Sequence, residues 1–189
     1  SSSHSAWARA EAASAALDGL EAQLSPRARD LGPGAECLAY SIADGAWLDW
    51  GAGRRRCAIG PGGIAVKGGE GDGITPRGTW PVREVFYRAD RIAQPRTALP
   101  LWEIQKDDGW CDAPEDSSYN RLVKLPYAAS AENMWREDHL YDLVLVLGYN
   151  DDPVYAGKGS AIFLHLARPD FSATHGCVAL AYDDALAAI

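Results

Sequence analysis

The sequence predicts a mainly β protein with short helices, preceded by one N-terminal helix. Three observations predict it. Apolar residues alternate from Cys37 onward, turn signals punctuate the chain at short intervals, and Asp142 to Gly148 (DLVLVLG) is an apolar run of strand length. The 189 residues, 47% of them hydrophobic, suffice for one domain with a core of useful size. The texture divides the chain into an N-terminal helical segment, 1–36, and a main domain, 37–189.

The helix is expected from Ala6 to Leu24, where Trp7, Ala13, Leu17, Leu20 and Leu24 recur near the helical period. Ser25-Pro26 and Gly32-Pro33-Gly34 break it. Leu38, Tyr40 and Ile42 then alternate, Asp44-Gly45 is a hairpin signal, and Trp47-Leu48-Asp49-Trp50 is the returning strand. Arg56 to Ile59 is a further short strand. Residues 60–79 hold eight glycines, a density that calls for unusual torsions or close backbone approach. The stretch is not a phosphate-binding loop, because no G-x-x-x-x-G-K-[ST] occurs in it. Gly73 to Val82 reads as a tight turn leading into a strand that continues through Val85, Phe86 and Tyr87. Residues 88–140 read as irregular polar loops carrying Trp102, Trp110, Tyr119, Tyr127 and Trp135, and a long ordered loop region is usually functional. Asp142 to Gly148 is a buried strand, Gly157 to Ser160 a turn, Ala161 to Leu166 the next strand, and Ala181 to Ile189 begins as a helix.

A formal net charge of −8 argues against nucleic acid as a partner, which normally needs a basic face. No apolar run approaches the ~20 residues of a membrane span. No signal peptide is visible, so the compartment is not legible from the residues; the bacterial envelope (periplasm) is favoured over the cytoplasm. The four cysteines, Cys37, Cys57, Cys111 and Cys177, form no C-x-x-C pair. Cys37 and Cys57 are expected as buried strand thiols.

Chemistry concentrates near Cys177. His165 ends an apolar run, and Cys177 follows twelve positions later, behind the small-residue turn Thr174-His175-Gly176. A thiol beside an imidazole is what a cysteine nucleophile needs, because the thiolate attacks and the imidazole can take the proton. The turn offers backbone N–H groups that can converge on an oxyanion. His175 can line the pocket, donate to a substrate carbonyl or cap the turn. A zinc site from His165, His175 and Cys177 is the competing reading, and its spacing is irregular for zinc. Tyr149 and Asn150 are candidates for polar substrate contacts, against the alternative of a turn satisfied by its own side chains. Lys67 and Arg77, beside the glycine-rich turns, are weaker candidates of the same kind.

The pattern His165…Thr174-His175-Gly176-Cys177-Val178 resembles the H…[ST]-H-G-C-[IV] signature of the YkuD-type L,D-transpeptidase catalytic domain, and Gly73-Ile74-Thr75-Pro76-Arg77-Gly78 resembles that family's TP-x-G segment. The resemblance spans roughly residues 37 to 189 and implies a β-sandwich-like fold with the cysteine in a groove. It implies attack by Cys177 on the carbonyl of an L-to-D bond in a peptidoglycan stem peptide, release of D-Ala, and a thioester resolved by an amine or by water. L,D-carboxypeptidase action in wall recycling is the hydrolytic alternative, and a non-catalytic peptidoglycan-binding module the alternative of another class. Carried over by position, Cys177 is the nucleophile and His165 the base. The Leu166 carbonyl is the third partner, and Gly176 and Cys177 amides with His175 are the oxyanion donors. Thr174 and Arg168 join Tyr149 and Asn150 as substrate-binding candidates. The expected partners are stem peptides or muropeptides, with a covalent carbapenem adduct at Cys177; no metal and no organic cofactor is implied. Two departures stand out. The family's arginine two residues after the cysteine is here Ala179, which makes Arg168 the candidate for its work. Relatives usually continue through a helix into a last strand, so either the chain is truncated or the N-terminal segment fills that space.

Overall fold

A computed structural model describes residues 36–42, 45–49 and 53–189. The expected helix at 6–24 lies outside the described residues, as does the whole segment 1–35.

The described chain is mainly strands. In order they are β1 (Glu36–Ile42), β2 (Gly45–Asp49), β3 (Arg54–Ala58), β4 (Ile64–Ala65), β5 (Thr75–Pro76), β6 (Thr79–Tyr87) and β7 (Leu101–Glu103). There follow β8 (Asp108–Cys111), β9 (Leu122–Lys124), β10 (Ala131–Asn133), β11 (Leu143–Leu147), β12 (Phe163–Leu166) and β13 (Val178–Leu180), then one short helix, α1 (Tyr182–Ala187).

Eight strands make the main sheet in the order β1-β2-β3-β13-β12-β11-β6-β7, and β1 also pairs with β6. That extra pairing closes the sheet on itself. The nine-residue β6 makes it possible, pairing through Thr79–Pro81 with β1 and through Val82–Tyr87 with β11. The sheet therefore wraps one core, built on Leu48, Trp80, Val85, Leu145, Leu164, Val178 and Leu180. A second core, on Phe86, Trp110, Met134, Val144, Val146 and Phe163, lies on the other face. There a three-stranded sheet, β10-β8-β9, provides the cover. This is the layered β architecture expected of a sandwich.

The LVLVL run of β11 is explained by its position. Leu143, Leu145 and Leu147 belong to the first core, Val144 and Val146 to the second, and all five are buried. A strand covered on both faces reads as continuously apolar rather than alternating. Each such side chain contributes about 1.5–3 kcal/mol on full burial.

Two expectations need correction. Residues 88–140 are not irregular throughout, because β7, β8, β9 and β10 lie within them. These strands are three or four residues long, too short for alternation to register, and Trp110 and Tyr119 are buried rather than displayed. The strand expected from Ala161 begins at Phe163, because Ala161 takes a left-handed φ of 52° that no strand accommodates. Cys57 is buried in β3, as expected; the side chain of Cys37, in β1, lies outside the described atoms. No helix among the described residues is long and apolar enough to cross a membrane.

Candidate active site

β12 and β13 run parallel, with Leu164 opposite Val178 and His165 opposite Ala179. Side chains alternate across a strand, so Leu164, Leu166, Val178 and Leu180 enter the first core together. The other face carries Phe163 and His165 from β12, with Ala179 and the preceding Cys177 from β13. The sequence thus brings its cysteine and histidine to one face of two neighbouring strands. Phe163 N–H donates to Cys177 Sγ at 3.5 Å, and the Cys177 thiol donates to Ala161 O at 3.1 Å.

His165 Nδ1–H donates to Leu166 O at 2.9 Å. This bond places the proton on Nδ1 and leaves Nε2 as an acceptor. Burial holds the imidazole pKa down at about 4, with Arg136 and Arg168 adding to the effect and the Leu166 carbonyl opposing it. Burial pushes the Cys177 thiol up to about 12; the Glu132 carboxylate adds to this, while the Phe163 N–H, Lys67 and Arg136 act against it. At neutral pH the resting pair is therefore a neutral thiol and a neutral imidazole, not an ion pair.

The turn before Cys177 is held by one hydroxyl. Thr174 Oγ1 donates to Cys177 O at 2.7 Å and accepts from Gly176 N–H at 3.1 Å, while Thr174 N–H donates to Ile59 O at 3.0 Å. The Gly176 amide, expected as an oxyanion donor, is thus occupied by Thr174 in this state. Gly176 has φ 132°, a torsion suited to glycine alone. The glycine-rich segment packs directly beneath. A Cβ on Gly60 would fall 2.0 Å from Gly73 O and 3.0 Å from Gly176 Cα, so main chain meets main chain there. Lys67, its side chain 3% exposed, pairs with Asp72 at 2.5 Å and donates to Ile74 O at 3.1 Å, close under Gly176.

The remaining expected residues are spread around this centre. His175 and Arg168 are exposed beside it. The Tyr149 hydroxyl donates to Lys158 O at 2.7 Å, and its ring meets Trp80 edge-on. Asn150 donates to Tyr155 O and Gly159 O and accepts from Tyr155 N–H, so its amide is engaged within its own loop. Ala179 is buried between His165 and Ala58, a site with small neighbours across β3.

Four residues near the thiol carried no motif. Tyr141 packs against the His165 ring, with centroids 5.4 Å apart, and its hydroxyl donates to Glu132. The Arg136 guanidinium lies 5.1 Å from the Tyr141 ring centre. Asn120 Oδ1 accepts from Trp110 Nε1 and from Ala161 N–H, fixing the residue whose carbonyl meets the thiol. Only the left-handed φ of Asn120, 57°, matches a known asparagine tendency, and nothing in the local sequence flags it. A cavity of about 660 Å³ opens between the two sheets, with Phe86, Trp110, Val146 and Phe163 in its lining and Trp102 and Arg83 among its walls. Phe163 thus borders both the cavity and the thiol.

Residues 41–189 match the family model of the YkuD L,D-transpeptidase catalytic domain. No curated protein and no solved structure is matched.

Proposed function

The chain belongs to the YkuD L,D-transpeptidase catalytic domain family, and from that premise we propose that it performs cysteine-dependent acyl transfer at the L-to-D bond of peptidoglycan stem peptides. The observation that carries this reading is the common face of Cys177 and His165, with the imidazole anchored by its Nδ1–H on Leu166 O.

The neutral resting pair calls for general-base attack. The thiol turns from Ala161 O, His165 Nε2 takes its proton, and Sγ bonds to the substrate carbonyl carbon. The tetrahedral oxyanion is held by main-chain amides of the turn, which requires Gly176 N–H to leave Thr174 Oγ1 or Cys177 N–H to carry the charge without it. The C–N bond then breaks, the imidazolium proton goes to the departing D-Ala amine, and a thioester remains. An acceptor amine or water attacks the thioester, gives its proton to His165 and releases Cys177, which recovers that proton.

In this reading Arg136 takes the place of the arginine that Ala179 lacks, because it lies within electrostatic reach of both the thiol and the imidazole, as Arg168 does of the imidazole.

Cys177→Ala should abolish D-Ala release from a tetrapeptide muropeptide and prevent the mass increase that a carbapenem gives the native protein. Full D-Ala release by that variant refutes the reading. With an added acceptor amine, cross-linked product marks transfer, and tripeptide alone marks the hydrolytic form of the same chemistry.

A further inference from the structure

Lys67 is a buried cation that the reaction as proposed does not use. Its side chain is threaded between two glycines. A Cβ on Gly159 would fall 2.6 Å from Lys67 Cε and 3.0 Å from Cδ, and one on Gly176 would fall 3.7 Å from Nζ. Both glycines have torsions that side chains rarely adopt, φ 122° and 132°. The lysine therefore occupies space that two missing side chains leave, one on the 157–160 turn and one on the turn that carries Cys177.

The charge at the end of this channel has a direction. Lys67 Nζ donates to Asp72 Oδ1 at 2.5 Å and to Ile74 O at 3.1 Å; its third N–H has no acceptor among the described residues. Asp72 is turned towards its own loop, where its carboxylate also accepts from the amides of Gly68, Gly69 and Ile74 at 2.8, 3.1 and 2.9 Å. Burial works against its charge, but Lys67 and these amides outweigh it and hold the carboxyl well below the usual carboxylate range. Asp72 thus stays ionised, with its charge spread over four donors. No Asp72 atom comes as close to the missing Gly176 Cβ as Lys67 Nζ does. The ion pair is a fixed dipole with its positive end under the turn.

A dipole of this sense bears on a thiol that must become a thiolate. Glu132, Tyr141, Lys67 and Arg136 are the charged and titratable groups that bear on Cys177, with His165 on the same face. Glu132 opposes the thiolate. Arg136 is held in a two-point pair with Asp138 at 2.8 and 2.7 Å. Lys67 approaches from beneath with its side chain 3% exposed, where salt and water screen its field least. We propose that Lys67 tunes the nucleophile without touching substrate: its ammonium, oriented by Asp72, stabilises the negative charge that forms on Cys177 Sγ when His165 Nε2 takes the proton. No proton passes to or from Lys67. The proposal rests on the acyl-transfer reading, and it gives the glycine-rich segment a charge to contribute as well as a shape.

Two near-isosteric variants break the same ion pair and change the charge in opposite directions. Lys67→Met removes the cation, and Asp72→Asn removes the anion that offsets it. Alkylation of Cys177 by neutral iodoacetamide, scored by peptide mass over a pH series in protein shown folded by circular dichroism, reads the thiolate without any peptide substrate. Lys67→Met should slow it about 10-fold at neutral pH and move the pH–rate profile to higher pH, and Asp72→Asn should speed it about three- to tenfold. In Lys67→Met, kcat/KM for D-Ala release should fall by about the same factor as alkylation. If the pair only shapes its loop, both variants slow alkylation alike with unshifted profiles, and that result overturns the proposal. A native alkylation rate or a native kcat/KM in Lys67→Met overturns it too. Where Lys67→Met does not fold, Asp72→Asn still decides, because a rate at or below the native one overturns the proposal. D-Ala release that survives Cys177→Ala sinks the acyl-transfer reading and leaves the alkylation rates as they are, so the two failures are distinguishable.

Discussion

Replacing Thr174 by valine changes one hydroxyl to a methyl at nearly constant shape, and it tests what holds the cysteine's turn. Thr174 is 8% exposed, so water does not replace what is lost. The hydroxyl serves two main-chain groups at once, accepting from Gly176 N–H at 3.1 Å and donating to Cys177 O at 2.7 Å. In the valine variant Gly176 N–H is orphaned, at about 1–3 kcal/mol. Cys177 O falls back on a long 3.4 Å bond from Thr75 Oγ1, so its loss is smaller, about 1 kcal/mol. The sum is about 2–4 kcal/mol. At roughly 2–4 °C per kcal/mol for a chain of this size, the thermal midpoint should fall by roughly 4–16 °C. Thr174→Ser keeps the oxygen and should stay within about 1 kcal/mol of the native protein. Urea and thermal unfolding of the three proteins, followed by circular dichroism, measure both numbers. A valine variant within about 0.5 kcal/mol of native, or a serine variant as unstable as the valine one, refutes the reasoning. A raised KM with an unchanged midpoint would instead make Thr174 a substrate contact.

Two further outcomes follow from the same geometry. His165 has its folded pKa lowered to about 4 by burial, against an ordinary 6.5, so the unfolded chain binds the extra proton first. The sign is fixed by that order: the contribution is complete above pH 6.5 and is lost as pH falls towards 4, at a cost of roughly 3 kcal/mol. Urea midpoints between pH 4 and 7 should show this slope in the native protein and lose it in His165→Gln; parallel profiles would refute it. Gly60→Ala places a methyl 2.0 Å from Gly73 O, where no side chain can yield. It should cost about 1–3 kcal/mol. It should also cut D-Ala release by about 100-fold through displacement of the turn above it. Native kinetics in that variant would show that the glycine-rich segment does not set the turn.

Much of this was legible in the sequence wherever a strand is long or a motif is dense. β11 announced itself because five apolar residues in a row meet core on both faces, and the thiol–histidine pair because its residues lie within twelve positions of each other. The surroundings were not legible, for a physical reason. Glu132, Tyr141, Arg136 and Asn120 come from the 88–140 region or its border, and they reach the centre only because β8–β10 fold a separate small sheet over the main one. Glu132 lies on the three-residue β10, and Asn120, Arg136 and Tyr141 lie in loops and turns, so neither alternation nor propensity marks them, and their meaning is wholly tertiary. The glycines of 60–79 were visible as an anomaly. Their purpose, main chain resting on the turn that carries Cys177, depends on a contact between segments a hundred residues apart.

The strand order has a consequence for how the protein comes into being. β13 sits between β3 and β12, and it is synthesised after both. The hairpin β2–β3 and the pair β11–β12 can each form as the chain emerges, but a gap separates them until β13 enters it. The same entry carries Cys177 to the face of His165. Closure of the sheet and assembly of the thiol–imidazole pair are therefore one event, and a partly made chain has neither.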